Sequence, residues 1–547
     1  MTGMQRWTRR LSLVALVSGC ALLAAAFGAT AGNAQQHGPS VKSKRFPEFR
    51  VVLDTIDFLD PAQAYTAQSW AAMWDVYETL LTYKHIAGPG GYTLVPGLAQ
   101  SLPKISRDGK VYTFKLRAGL RYSDGRAVKA GDFKSTIKRD FAATSPGVGF
   151  YEAIVGAKDF EKNPTTGDIA GIKANNKTRT IVIRLDSPRG DFLTILALLF
   201  SAPVPAGTPP EDQSTNPIPG TGPYRIASYE PNRGFTLLRN QYFKATKFIP
   251  AGNPDKITVS LVGDANAAVQ QVINGDADYT NAAIPPERLA DVQKSGQLRL
   301  RPAANTYYFW MNTRVAPFNI LKVRQAVNYG IDRTALNRTV WGGLGQPTQN
   351  VLPPTYPSYT KLNLYPHNIA KAKALIQQAG VAGTTVTVWG RQVSDSVTET
   401  ELYASYLEAI GLKTDIKILP RATYYTTIGN ADTKAQTGWA RWLEDYPHPL
   451  DWFDVLLNGN RITPTDNNNF AWYSNKKTNQ EIESLKRAPV LTDAVNGRWA
   501  QVEKEIMQQA PWAPWSNRVF PEFFNNKMGC IVMQRLYGVD FLSVCKK

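Results

Sequence analysis

Lys115 to Arg139 reads KLRAGLRYSDGRAVKAGDFKSTIKR. It sets a strand, a tight turn and a helix start in one short piece. Phe114, Leu116 and Leu120 supply the apolar positions of a strand. Ser123-Asp124-Gly125 is turn chemistry, with a glycine free to take positive φ. Lys129-Ala130-Gly131-Asp132 then opens a helix, with Asp132 placed to cap it or to meet its dipole. The unit is a strand, a turn and a helix, and it carries no catalytic chemistry.

Other landmarks lie on either side. Pro219-Gly220-Thr221-Gly222-Pro223-Tyr224 fixes a sharp turn before a strand, and it lacks the Lys and Ser/Thr of a phosphate loop. Phe49 to Ile56, Thr180 to Leu185 and Tyr307 to Asn312 read as strands, and Ser69 to Tyr83 as a helix. Pro317 through Leu336, PFNILKVRQAVNYGIDRTAL, gives a helix face of Val323, Ala326, Val327 and Ile331, with Arg324 and Arg333 as candidate ion-pair anchors. Glu399 to Leu412 reads as an amphipathic helix closed by Gly411.

A chain of 547 residues exceeds one core, so two or three lobes are expected. The 43% apolar content fits a folded protein and excludes a disordered one. Residues 1–34 read as an export signal: Arg6, Arg9 and Arg10 precede an apolar run from Leu11 to Phe27. Gly32-Asn33-Ala34 suits cleavage, whereas Val17-Ser18-Gly19-Cys20 resembles a lipidation motif. The apolar run after Cys20 favours ordinary secretion. Beyond the signal no stretch has the ~20 apolar residues of a membrane span, so an extracytoplasmic soluble chain is expected. Its net charge of +18 falls to +15 without the three signal arginines, and the basic residues are spread rather than clustered. A nucleic-acid module is therefore not expected. Without Cys20, Cys530 and Cys545 remain, and an oxidising compartment predicts a disulfide between them.

The four histidines, His37, His85, His367 and His448, show no metal-ligand spacing, and HExxH, CxxC and GxSxG are absent. The reading is therefore of a protein that is not an enzyme and needs no metal or other cofactor. His448 is expected in a turn or at the surface.

Taken in order, the landmarks resemble solute-binding protein family 5, the oligopeptide-, dipeptide- and nickel-type receptors of ABC importers. Lys115–Arg139 is similar to "LRxGxxFSDGxPLTAxDFxxSxxR", the 219–224 turn to "GTGPYxL", and Leu238 to Phe243 to "xxRNxxYW". Val269 to Thr280 resembles "LxxGEIDxx", Pro317–Leu336 resembles "PFxDxRVRQAxxYAIDRxAI", and Leu364 to Gly380 resembles "YDPEKAKxLLxEAG". The similarity covers about residues 50 to 510.

The resemblance implies a two-lobed α/β fold of the periplasmic-binding-protein type, class II, with an inserted domain. Lobe I would take residues 45–85, 206–305 and 510–547, the inserted domain II 86–205, and lobe III 306–509. It implies an exported monomer that closes its lobes on a small solute, foremost an oligopeptide, and delivers it to ABC permease subunits. Opines, oligosaccharides and signalling molecules stand as alternative solutes, and a secreted hydrolase or an envelope adhesin as alternative functions.

Gly438 to Phe453, GWARWLEDYPHPLDWF, is similar to "GWxADYxxPxxFL" of the peptide-binding members. Trp442, Asp445, Tyr446 and Pro449 fall on its Trp, Asp, Tyr and Pro. In those relatives the Asp meets the ligand's α-ammonium, so Asp445 is the leading ligand residue, with Trp442, Tyr446, Trp439 and Tyr425 around it. A buried ammonium needs a paired carboxylate. Asp445 as a cap of the DYPHP turn is the competing reading. Leu443-Glu444 departs from the small residue that relatives often carry before the Asp.

Overall fold

The computed structural model describes residues 45–547, so the expected signal and Cys20 lie outside the described residues. The strand at the head of the quoted stretch is Val111–Lys115, shorter than the apolar pattern predicts. Beyond Lys115 the regular strand ends: Leu116 makes an isolated bridge to Ala99 and donates its N–H to the Arg179 carbonyl, and Arg117 N–H donates to Leu98. A turn closes between Tyr122 and Gly125, whose φ is 91°. The helix Ala130–Ala142 follows. The Asp132 carboxylate accepts the Lys129 N–H at 2.8 Å and the Tyr122 hydroxyl at 3.0 Å, which ties cap and turn together. Phe133, Ile137 and Phe141 of this helix share a core with Phe114, Ile181 and Ile183 of a four-stranded antiparallel sheet. That sheet runs Lys104–Ile105, Val111–Lys115, Thr180–Arg184 and Ile172–Asn175.

The expected helix over 69–83 is instead Ala67–Met73, capped at Trp74. Residues 75–80 are buried on every side, and their carbonyls serve other strands. Asp75 accepts from Tyr224 N–H, Val76 from Gly222 and Thr79 from Leu98. Tertiary hydrogen bonds thus override the helical spacing. They also explain the 219–224 turn: a Cβ at Gly220 would lie 2.2 Å from the Val76 carbonyl oxygen.

One twelve-stranded sheet runs through the rest of the molecule. At one end, Phe46–Leu53 pairs in parallel with Pro254–Leu261 and with Tyr279–Thr280. At the other, Thr385–Arg391 pairs in parallel with Lys413–Leu419 and with Thr437–Leu443. The long strand Trp512–Asn525 joins the two ends. Its first half pairs with Asn305–Met311 and its second with Gly296–Pro302. Two large hydrophobic cores result, one drawn mainly from 46–259 with the C-terminal 524–544, the other from 304–515. Among the described residues no helix is long and apolar enough to cross a membrane.

Arg324 and Arg333 anchor their helices, Leu321–Gly330 and Arg333–Trp341, but not through ion pairs. Arg324 donates to the carbonyls of Phe318 and Gln509, and Arg333 to those of Asn328 and Pro514. Burial pushes both guanidiniums down to about 10. Carbonyl dipoles hold the charge, and among the described residues no acid forms an ion pair with either arginine.

Cys530 and Cys545 are joined by a disulfide with their Cα atoms 5.4 Å apart. It closes the tail that carries Tyr537 and Asp540 into the first core. For a loop of this length the chain-entropy model gives about 3 kcal/mol. The double change Cys530→Ser with Cys545→Ser is expected to cost about that much in denaturant unfolding. An unchanged midpoint, or two free thiols on mass mapping of non-reduced peptides, would contradict it.

Candidate ligand-binding site

The parallel strands at both ends of the sheet point their carboxyl ends at one cavity of about 1120 Å³. Leu53, Asp54 and Thr55 reach it from the first strand, Val262 and Gly263 from just past Pro254–Leu261, and Asn281 and Ala282 from just past Tyr279–Thr280. Facing them, Arg391 ends Thr385–Arg391, Arg421 lies two residues past Lys413–Leu419, and Arg441 lies within Thr437–Leu443. The crossing segments add Arg301, Ala303, Ala304 and residues 518–522 to the wall. A cleft outside the carboxyl ends of parallel strands is where α/β sheets hold ligands, because side chains from several strands converge there.

The far wall is basic. Arg391 is half-buried, its Nε has no hydrogen-bond partner, and its guanidinium lies 5.0 Å over the Tyr425 ring. Burial lowers its pKa, and the charges of Arg441 and Arg421 add to that effect. Arg441 donates to the Tyr307 hydroxyl at 3.2 Å. Arg518 sits 4.0 Å over the Trp341 ring and 3.8 Å from Asp395. Glu399 accepts from Trp439 Nε1; burial and the charge of Asp395 push it well above its ordinary range, with Arg441 and Arg518 pulling the other way.

The opposite corner is acidic. Asp445 lines the cavity, and its carboxylate accepts the Tyr65 hydroxyl at 2.7 Å. Asp451 holds the segment itself, accepting Asp445 N–H at 3.0 Å and Trp442 Nε1 at 3.2 Å. Glu444 accepts from the hydroxyls of Tyr92 and of Tyr356, the latter at 2.7 Å. Burial pushes Asp445 up to about 7 despite the Tyr65 bond, and Glu444 to about 7 despite its two tyrosines. Asp451 is raised well above the carboxylate range by burial and by Asp445. Among the described residues none of the three is in an ion pair.

The structure brings Asp445 and Trp439 to the cavity and leaves Trp442, Tyr446 and Tyr425 off its wall. Strand alternation separates the two tryptophans: Trp439, Arg441 and Leu443 share one face, and Trp442 takes the other. Tyr446 is buried and donates to Asp191 at 2.9 Å. Burial alone would raise Asp191, but Arg189 beside it holds it down to about 2. Tyr425 stands behind the wall, between Arg391 and the Phe470 ring. His448 lies in the turn but is buried, with Nδ1 accepting from Leu450 N–H, and burial pushes it down to about 4. The sequence reading missed Arg391, Arg421 and Arg441. Arg391 and Arg441 sit at or near the ends of the strands Thr385–Arg391 and Thr437–Leu443, which the sequence reading did not identify.

The acidic corner has a pH signature with a definite sign. Carboxyls raised from ordinary values of 3.8 to 4.5 up to about 7 lend stability below pH ~4 that is lost as pH rises through about 7. An ammonium ligand takes the ionised form. Its affinity should therefore climb as pH rises toward about 7, and fall up to about tenfold per pH unit below that. Calorimetric titration across this range checks it. A flat profile for a ligand with a free amine would contradict the assignment.

A family model described as bacterial extracellular solute-binding proteins, family 5 middle, matches residues 93–464. Heme-binding protein A of Haemophilus influenzae is 27% identical over 478 residues, covering 82% of this chain and 83% of its own. Glutathione-binding protein GsiB of Escherichia coli is 27% identical over 430 residues, covering 75% and 78%. The solved structure of clavulanic acid biosynthesis oligopeptide binding protein 2 superposes with a TM-score of 0.84 at 23% identity, over 92% of this chain and 96% of that one. Its fold is the α/β periplasmic-binding type seen here. Proteins of this family act outside the cytoplasm, handing solutes to ABC importers, and they bind rather than catalyse. By the match across its main body, the chain belongs to the family 5 extracellular solute-binding proteins.

Proposed function

We propose that this protein captures a zwitterionic solute, foremost a short peptide, and delivers it to a membrane permease. The ammonium would meet Asp445 and the carboxylate the arginine wall. One observation carries the reading: a single cavity has half-buried acids at one corner that, among the described residues, form no ion pair, and an under-compensated arginine cluster at the other. Asp445 and Arg441 are four residues apart, so at most about 14 Å of extended backbone separates them. About four extended ligand residues span that distance. The names of relatives support the range of chemistry: glutathione and oligopeptides carry both charged ends. Heme carries carboxylates and no ammonium, so a heme-like solute would engage the arginine wall alone.

Lobe I, about 45–85, 206–305 and 510–547, and lobe III, about 306–509, would close on the ligand about the crossings near 305 and 510. Domain II, about 86–205, would ride on lobe I. Small-angle scattering should show the radius of gyration fall when a bound peptide saturates the site, with the peptide recovered intact. An unchanged radius at saturation would sink the hinge.

A further inference from the structure

Among the described residues an unusual buried cluster lies outside the cavity. Asp75, just past the helix Ala67–Met73, His85, just past the strand Leu81–Tyr83, and Asp540, from the disulfide-closed tail, converge in the first core. Each offers a ligand atom, and these atoms all lie within 4.8 Å of one another. Asp75 is fully buried, and neither of its carboxylate oxygens has a hydrogen-bond partner. Asp540 is 1% exposed. Its Oδ1 faces His85 Nδ1 at 3.2 Å and accepts from Leu542 N–H, while its Oδ2 has no partner. His85 Nε2 has none either. Stacking on Trp74, with ring centroids 3.9 Å apart, fixes the imidazole plane. The buried Glu78 adds two further unpartnered oxygens nearby.

So many unmatched acceptors in one dry place are costly, because a buried polar group left without a partner loses its hydration for nothing in return. Among the described residues no lysine or arginine forms an ion pair with Asp75 or Asp540. A divalent cation would neutralise both carboxylates at once. Two carboxylate oxygens and one imidazole nitrogen form a donor set suited to zinc.

We propose that Asp75, His85 and Asp540 form a structural zinc site that pins the C-terminal tail to the first lobe. His85 and Asp540 are 455 positions apart in the sequence, so the metal would fasten distant parts of the chain where they meet. It takes no part in solute chemistry. Through the Trp74 ring, which stacks on both His85 and the cavity residue Tyr537, it would stiffen one wall of the solute site. A closed core leaves little path for entry, so loading belongs to folding, when the tail docks.

The test is metal analysis of the full chain. Protein produced with zinc in the medium, then dialysed against a chelator at room temperature, should retain about one zinc per chain. His85→Gln and Asp540→Asn should retain none, while His367→Gln should keep the full equivalent. Should the first two variants fail to fold, X-ray absorption on the zinc-loaded wild type decides. It should show one imidazole nitrogen and oxygens at about 2.0–2.2 Å, with no sulfur. Wild-type protein that holds no zinc, even when refolded with it, would overturn the site and leave Asp75 and Asp540 sharing a proton. Variants as zinc-loaded as wild type, or a sulfur or all-water shell, would overturn it too.

Discussion

Asp445→Asn is expected to weaken binding of a peptide with a free N terminus by some tens- to thousands-fold. Removing one partner of a buried charge pair typically costs about 2–5 kcal/mol, because the other charge is left desolvated. The ligand-free melting temperature should hold or rise. In the native protein the Asp445 carboxylate bonds Tyr65, far away in sequence, while Asp451 accepts the N–H at residue 445. The amide keeps an oxygen for Tyr65 and removes a half-buried acid whose charged form desolvation already disfavours. If Asp445 served only to cap its turn, the melting temperature would fall and affinity would stay. N-acetylating the peptide removes the ammonium from the other side. Native protein that binds the acetylated peptide as tightly as the free one would remove Asp445 from the recognition of ligand amines.

At the other wall, Arg441→Gln should lower affinity for the same peptide by about 30-fold or more, the lower end of the range for a buried charge pair. The lower end is expected because Arg391 and Arg421 share the same wall and would take up part of the charge. Amidating the peptide's C terminus should abolish the difference between the native protein and the Arg441→Gln variant. That is the signature of a direct pair in a double-mutant cycle. If Arg441→Gln costs the same against the amidated peptide, the guanidinium acts through Tyr307 and the packing of the strand rather than on the ligand. A solute that depends on Arg441 and ignores Asp445→Asn would point to an anion without an amine.

The local pieces of the fold were legible because their signals are local. The turn at 219–224 needs its glycines against the Val76 carbonyl, and the cap at Asp132 lies three residues from the N–H it accepts. The helix expected through residue 83 was misread because its carbonyls are claimed by residues 98 and 222–224, and no window of sequence displays that. Asp445 was found through its motif, and Trp442 came with it. The period-2 alternation of Thr437–Leu443 would have separated Trp442 from Trp439, had the stretch been read as a strand. Arg391, Arg421 and Arg441 were illegible as a group. They are 20 to 50 residues apart and meet only because their three strands are neighbours in the sheet. The same is true of Asp75, His85 and Asp540, whose meeting depends on the tail returning to the first core.

The central claim is that one cavity selects a solute by opposite charges at its two ends. Its most direct test is mass spectrometry of the protein extracted without denaturation, with the co-purified small molecule released and identified. The account predicts a molecule that carries both a free ammonium and a carboxylate, foremost a peptide of about three to five residues. Recovery of a neutral oligosaccharide, or of a heme-like dicarboxylate with no amine, would contradict it.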